Sequence, residues 1–320
     1  MDVEPSVLRS ERATLEVLPH LGMLATSLRI DDVEFLAMPR TVGQYVDGSC
    51  TGMPLLHPWA NRLETCSYPS QGGDVTFDPT DVHLDNNGLP IHGTMQGRPF
   101  DIVAQSEAAI TATYEFGRGP DADEVLTSFP FEHRITIDMD LATVGVEHRC
   151  TVTTRIDNTG TAAMPISFGW HPFFVLPSRP RSGWTLRTPE CARHELSWLL
   201  LPTGRTNPFA ELDDLIGDRT YDDHFALSDD RTFMVRDDEH MILVRFDDGY
   251  PHLQVYLPGA DGLLPGDFVC IEPMTAPSNA LCAATAPVIA PGERYDATFT
   301  ITIVEFGTTF GGEPVDTALR

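Results

Sequence analysis

Residues 144–156 read Val144-Gly145-Val146-Glu147-His148-Arg149-Cys150-Thr151-Val152-Thr153-Thr154-Arg155-Ile156. Val144, Val146, His148, Cys150, Val152, Thr154 and Ile156 fall on one side of an extended chain, and the charged and hydroxyl residues fall mostly on the other. That spacing is the period of a half-buried β-strand. The same period recurs in both directions along the chain. Ile135, Ile137 and Met139 alternate with Thr136 and Asp138, and Leu253, Val255 and Leu257 alternate with Gln254 and Tyr256. Near the end, Tyr295, Ala297, Phe299, Ile301 and Ile303 share one face. The 25 Gly and 26 Pro punctuate these runs as turns would. Asn158-Thr159-Gly160 and Asp247-Asp248-Gly249 read as turns between strands. No long stretch carries a helical period. Residues 44–56 and 193–201 are each short helix or irregular. There is no repeat, low-complexity tract or linker, so the expectation is one all-β domain over residues 1–320, a large antiparallel sandwich with a loose tail from about 311 to 320.

Composition narrows the chemistry. The 21 cationic residues are all arginine, against 47 acids and a formal net charge of −26. Without lysine there is no Schiff-base or pyridoxal chemistry and no Walker phosphate loop. So acidic a chain should be repelled by nucleic acid and by anionic membranes. The six cysteines form no C-x-x-C pair, and their wide spacing suggests buried free thiols in a reducing compartment. The first residues lack an apolar signal region, and no window approaches a membrane span. A soluble cytoplasmic protein, monomer or homodimer, is the expectation.

Four segments set polar groups among apolar or Gly/Pro-rich neighbours. In Pro54-Leu55-Leu56-His57-Pro58-Trp59-Ala60-Asn61-Arg62-Leu63, Arg62 follows an aromatic run. Such an arginine holds a ligand oxygen or simply a structural carboxylate. In Gly88-Leu89-Pro90-Ile91-His92-Gly93, His92 is either placed for chemistry or a satisfied core histidine. In Ser167-Phe168-Gly169-Trp170-His171-Pro172-Phe173-Phe174, an apolar shell would desolvate His171, and Trp170 or Phe173 could offer a ring face. The alternative is an aromatic core cluster. In Phe268-Val269-Cys270-Ile271-Glu272-Pro273, Glu272 ends an apolar strand. There its pKa should rise toward a useful base, unless it points to water. Asp222-Asp223-His224 could bind metal but has no His-x-x-x-His or Glu-x-x-His companion. Asp81, His83, Asp85 and Asn87 lack a calcium loop's glycine position. No nucleophile elbow or dinucleotide turn is present.

In this order the four segments, with Tyr221-Asp222-Asp223-His224-Phe225 and Leu253-Gln254-Val255-Tyr256, resemble the aldose 1-epimerase (galactose mutarotase) family. The resemblance runs from about Thr14 to Phe306. It implies the all-β, galactose mutarotase-like β-supersandwich. It implies that Glu272 takes the proton from the anomeric hydroxyl and His171 protonates the ring oxygen, with His92 helping to hold that oxygen. It implies that Asn61, Arg62, an aspartate of the 222–223 pair and Gln254 bind sugar hydroxyls; the spacing to Phe225 selects Asp222. His57 departs from the pattern and reads as structural. No cofactor and no metal are implied, and the partner is a small sugar.

Three functions follow from that resemblance. The first is an aldose 1-epimerase acting on free hexoses such as galactose or glucose. The second is a hexose-6-phosphate 1-epimerase, for which Arg98, Arg179 or Arg181 could supply a phosphate pocket. The third is a non-catalytic sugar-binding protein on the same scaffold, against which the retained Glu272 and histidines argue. A glycoside hydrolase would need two facing carboxylates.

Overall fold

The chain is seen in a computed structural model that describes residues 4–259, 264 and 266–306. The expected loose tail lies outside the described residues. The 144–156 stretch is two strands rather than one. His133–Val144 and Glu147–Asn158 form an antiparallel hairpin with Val144 opposite Glu147. Gly145 turns the corner at φ 64, a left-handed angle that a two-residue hairpin requires and that glycine adopts without a Cβ clash. Directly opposed residues share a face, so crossing the turn switches the buried parity. Ile135, Ile137, Met139 and Leu141 are buried before it, and His148, Cys150, Val152, Thr154 and Ile156 after it. Val144 is therefore exposed. A two-residue turn between alternating strands leaves the period visible and hides the switch.

This hairpin is the middle of a nine-stranded antiparallel sheet. The order is Leu212–Leu215, Thr185–Thr188, Thr232–Arg236, His240–Phe246, Arg294–Glu305, Glu147–Asn158, His133–Val144, Ala109–Phe116 and Asp101–Gln105. An eight-stranded sheet runs Pro202–Phe209, Cys191–Leu196, Tyr221–Leu227, His252–Leu257, Val269–Met274, Gly169–Trp170 and Leu55–Leu56, with Phe173–Phe174 also paired to Val269–Met274. A four-stranded sheet, Ser6–Glu34, and two short two-stranded ribbons complete the sheets. Apolar faces of the two large sheets share one core that includes Ile137, Val152 and Ile301 from one and Phe225, Val255 and Ile271 from the other. Trp170 crosses the gap, donating its indole N–H to Thr154 Oγ1 at 3.0 Å. This is the sandwich the alternation predicts.

The two uncertain stretches resolve differently. Val42–Val46 is one helical turn, started by a capping box in which Thr41 and Gln44 satisfy each other's backbone N–H. Residues 191–196 are strand, so the helical alternative for 193–201 fails there. Pairing on both edges outweighs weak local propensity. Asp247-Asp248-Gly249 turns as expected. Among the described residues, no helix is long and apolar enough to cross a membrane.

Candidate active site

Alternation in the eight-stranded sheet decides which side chains leave the core. Leu253, Val255 and Leu257 point inward, so Gln254 and Tyr256 point to the opposite face. Gln254 lies opposite Glu272 and opposite His224 in register. Glu272 and Gln254 therefore stand side by side on one face. Asp222, two residues before His224, joins them. Asp223 points the other way, where Arg193 Nε donates to its Oδ1 at 2.9 Å. Strand parity thus separates the two aspartates. Asp222 lines the cavity, accepting from Gln254 Nε2 at 2.5 Å, whereas Asp223 is tied into the sheet.

The cavity over this face has a volume of about 450 Å³ and is lined by Asn61, Arg62, His92, His171, Asp222, Gln254 and Glu272. All seven residues singled out from the sequence thus meet in one place. Its wall is built where the first two polar segments pair. Ile91 bridges Arg62, and His92 N–H donates to the Asn61 carbonyl at 3.0 Å. Asn61 (φ 60) and His92 (φ 64) both sit in the left-handed region. Non-glycine residues adopt it at a cost of ~1–3 kcal/mol, usually where a site demands the geometry. Gly93 is obligatory for a different reason. A Cβ there would stand 2.1 Å from the His57 carbonyl oxygen.

At the bottom, His171 Nε2 stands 3.4 Å from Glu272 Oε1, and both side chains are almost fully buried. Phe173 stacks on the His171 ring at 4.5 Å with the planes 3° apart, and the His92 ring meets it edge-on at 5.3 Å. Desolvation dominates their titration. It drives the Glu272 carboxyl well above its usual range, with nearby Asp222 adding and Arg62 opposing. It lowers His171 to about 3. It also holds His92 far below 6.5, with His171 and Arg62 adding to the effect. Glu272 Oε2, His171 Nδ1 and His92 Nδ1 are buried without a protein partner. Such atoms are costly unless a ligand or water meets them.

The polar wall is preorganised. Asn61 Oδ1 accepts from Arg62 N, Arg62 Nη1 and Ser278 Oγ at 2.8–3.2 Å, so its amide hydrogens are what it can offer a ligand. Arg62 Nε donates to Asp85 at 2.8 Å, and its Nη2 lies 3.9 Å from Asp222. Burial alone would raise the Asp85 carboxyl. The Leu89 and Asn87 N–H groups and the Arg62 guanidinium together hold it below its usual range. Asp85 is therefore part of the site, not of a calcium-like loop. Residues the sequence reading did not place there include Asp85, Ser278, Tyr256 and Arg40, of which all but Ser278 line the cavity. For Asp85 the signal was present: Asp-Asn-Asn-Gly is an aspartate-anchored turn, with its Oδ1 capping residues 87 and 89.

Two expectations change. Trp170 is buried in the core and offers no face to a ligand; Phe173 lines the cavity instead. Arg98, Arg179 and Arg181 do not line it. Arg98 pairs with Asp121 and Glu124, Arg179 with Asp238, and Arg181 donates to the Phe268 and Pro258 carbonyls. Cysteine geometry also matters here. All six thiols are free. Cys50 with His92 and His171, and His171 with Cys270 and Glu272, bring potential metal ligands within 4.8 Å. Burial pushes both thiols up, so a metal there would first have to displace a thiol proton. His57 is structural. Its Nε2 lies 2.7 Å from His133 Nε2, and His133 Nδ1 lies 2.7 Å from the Phe131 carbonyl. A carbonyl only accepts, so His133 Nδ1 carries its proton and His57 Nε2–H is the donor between the rings.

The structure thus presents a β-supersandwich with a carboxyl and two imidazoles at the floor of a polar cavity. Residues 8–302 match the family model for aldose 1-epimerase. The chain belongs to the aldose 1-epimerase family. It is similar to a galactose mutarotase-like protein from Clostridium acetobutylicum, at 17% identity and a TM-score of 0.79, covering 94% of this chain and 95% of that one. It is similar to galactose 1-epimerase from Lactobacillus acidophilus NCFM, at 13% identity and a TM-score of 0.72 over 93% of each chain. At these identities the likeness is one of fold. Uncharacterized protein YphB of Escherichia coli (strain K12) is 28% identical over 151 residues, which is 47% of this chain. The match spans 45% of that curated relative's length.

Proposed function

We propose that the protein interconverts the α and β anomers of a free hexose, galactose or glucose, by ring opening and reclosure. One observation carries this reading: a buried carboxyl and a buried imidazole 3.4 Å apart at the floor of a polar cavity. Anomerisation moves two protons on oxygens bonded to a single carbon, which suits two groups that close together. Glu272 takes the proton from the C1 hydroxyl as His171 gives one to the ring oxygen, and the C1–O5 bond breaks. Rotation about C1–C2 presents the other face of the aldehyde, and the transfers run backwards. Each positioned group is worth ~10²–10⁴-fold.

The proton count fits. Burial favours a neutral carboxylic acid beside a neutral imidazole, and the ion pair of carboxylate and imidazolium contains the same single proton. One proton moving between Glu272 and His171 turns the resting form into the reactive one. Arg62 favours the carboxylate. His92 supports the ring oxygen, and Asn61, Arg62, Asp222 and Gln254 hold the other hydroxyls, with Asp85 fixing the Arg62 fork. With the arginines named for a phosphate already paired elsewhere, and Asp85 and Asp222 around the cavity, a neutral sugar suits the charge better than a phosphorylated one.

Polarimetry or NMR exchange on freshly dissolved α-D-glucose and α-D-galactose tests the proposal. Acceleration over buffer is expected. A folded sample giving none sinks the reading in favour of a sugar-binding role, and acceleration confined to glucose 6-phosphate moves the substrate to the phosphorylated class.

A further inference from the structure

Beside the sugar cavity, on the same face of the eight-stranded sheet, lies a cluster that the proposed chemistry does not use. Cys191–Leu196, Tyr221–Leu227 and His252–Leu257 are successive neighbours in that sheet. Arg193 lies opposite Phe225, which brings the next residues, His194 and His224, alongside each other. His224 lies opposite Gln254, and His252 is two residues before Gln254 on the same face. Three strands thus deliver three imidazoles to one point. The ring centroids of His194 and His224 are 4.6 Å apart, and those of the other two pairs are 5.5–5.6 Å apart.

We propose that His194, His224 and His252 form a binding site for a late first-row divalent cation of the zinc type. The cluster has the composition of such a site. His224 is 0% exposed, and neither ring nitrogen finds a partner of full hydrogen-bond geometry, although the Gln254 side chain stands close by. His194 Nε2 and His252 Nδ1 are likewise buried and unpartnered. A core histidine normally finds a carbonyl or carboxylate, as His133 does with Phe131. Here ligand atoms of all three residues lie within 4.8 Å of one another.

Tetrahedral ligands at a zinc–nitrogen distance of about 2.1 Å stand about 3.4 Å apart. The ligand atoms, within 4.8 Å of one another, would close to that spacing on binding. Imidazole is the ligand type preferred by zinc, nickel and copper, whereas calcium and magnesium seek oxygen. Three protein ligands leave a fourth position for water. Asp222-Asp223-His224 showed one ligand in the sequence; its companions lie on other strands, which no local spacing rule can find.

The test uses full-length, tag-free protein stripped with EDTA. Titration calorimetry with Zn²⁺ should give one site per chain with Kd ~1 µM or tighter. Substitution by Co²⁺ should give the intense visible absorption of a four-coordinate ion. His224→Leu should weaken binding ~100-fold or more, as should His252→Gln. His252→Gln lies at the half-buried edge and keeps the test decisive if His224→Leu does not fold. Absence of stoichiometric binding would overturn the proposal. So would binding that survives both substitutions, which would put the ion among Cys50, Cys270 and the active-site histidines. Anomerisation is read separately by the sugar assay, so the failure of either proposal is distinguishable from that of the other.

Discussion

Glu272→Gln should make the protein a poorer catalyst and, in a pH-dependent way, a more stable one. Glutamine keeps the shape of the buried side chain but cannot take a proton, so turnover should fall ~10²–10⁴-fold while the sugar still binds. The stability change follows from linkage. The folded carboxyl titrates well above 4.5, mainly because it is desolvated. A raised folded pKa means that the folded state binds the proton more tightly. Its contribution is then fully present below pH 4.5 and is lost as pH rises toward the folded pKa. Glutamine has nothing to lose. The variant's advantage should therefore grow by ~1.4 kcal/mol for each pH unit between those two values. For 320 residues, an unfolding entropy of ~2.1 cal/mol/K per residue gives ~0.7 kcal/mol/K. That slope corresponds to ~2 °C in Tm per pH unit. Tm of both proteins at half-unit steps from pH 5 to 8, beside polarimetric rates, is the assay. The pH where the difference levels off reads the folded pKa. A constant Tm difference across that range would refute the buried-acid reasoning, and surviving turnover would remove Glu272 as the base.

Asp85→Asn should release the Arg62 fork and raise KM ~10-fold, about 1.4 kcal/mol, with kcat changed far less; equal losses in both would make Asp85 more than a positioning residue. His133 titrates at about 4 rather than 6.5, so ~3 kcal/mol of stability present above pH 6.5 should disappear as pH falls through 4. Urea unfolding at pH 7 and 4.5 should show that limb shrinking in His133→Leu. The same variant should cost ~1–3 kcal/mol at pH 7, because the His57 N–H loses its acceptor. Gly93→Ala should cost ~3 kcal/mol or more, since its Cβ would meet backbone. Gly88→Ala, also at positive φ but with open space, should cost only ~1 kcal/mol. Similar thermal shifts for the two would contradict the steric argument.

Much of this molecule was legible before any fold was known. Alternation at 135–139, 253–257 and 295–303 marks strands because a sheet with one buried face imposes period two on the chain itself. The desolvated settings of Glu272 and His171 were visible for the same reason, since their apolar neighbours are adjacent in sequence. Other features were hidden. The hairpin at Gly145 was masked because a two-residue turn preserves alternation while exchanging faces. Whether Trp170 or Phe173 offers a ring face, or both belong to the core, stays open in the sequence; Trp170 bonds to Thr154 across the sandwich, and Phe173 lines the cavity. Asp85 read as a failed calcium loop, although it anchors Arg62, 23 positions away.

The sequence by itself determined the strands, the all-β class and the exclusion of lysine chemistry, and its resemblance to a family marked the set of seven polar residues. Those depend on residue type and on neighbours within a few positions. Tertiary structure alone decided that Asp223 turns away from the cavity to Arg193, that Glu272 and His171 stand 3.4 Å apart, and that three histidines from three strands meet beside them. Those depend on strand register and on which face of a sheet closes onto the core, and register is set by pairing between segments far apart in the chain.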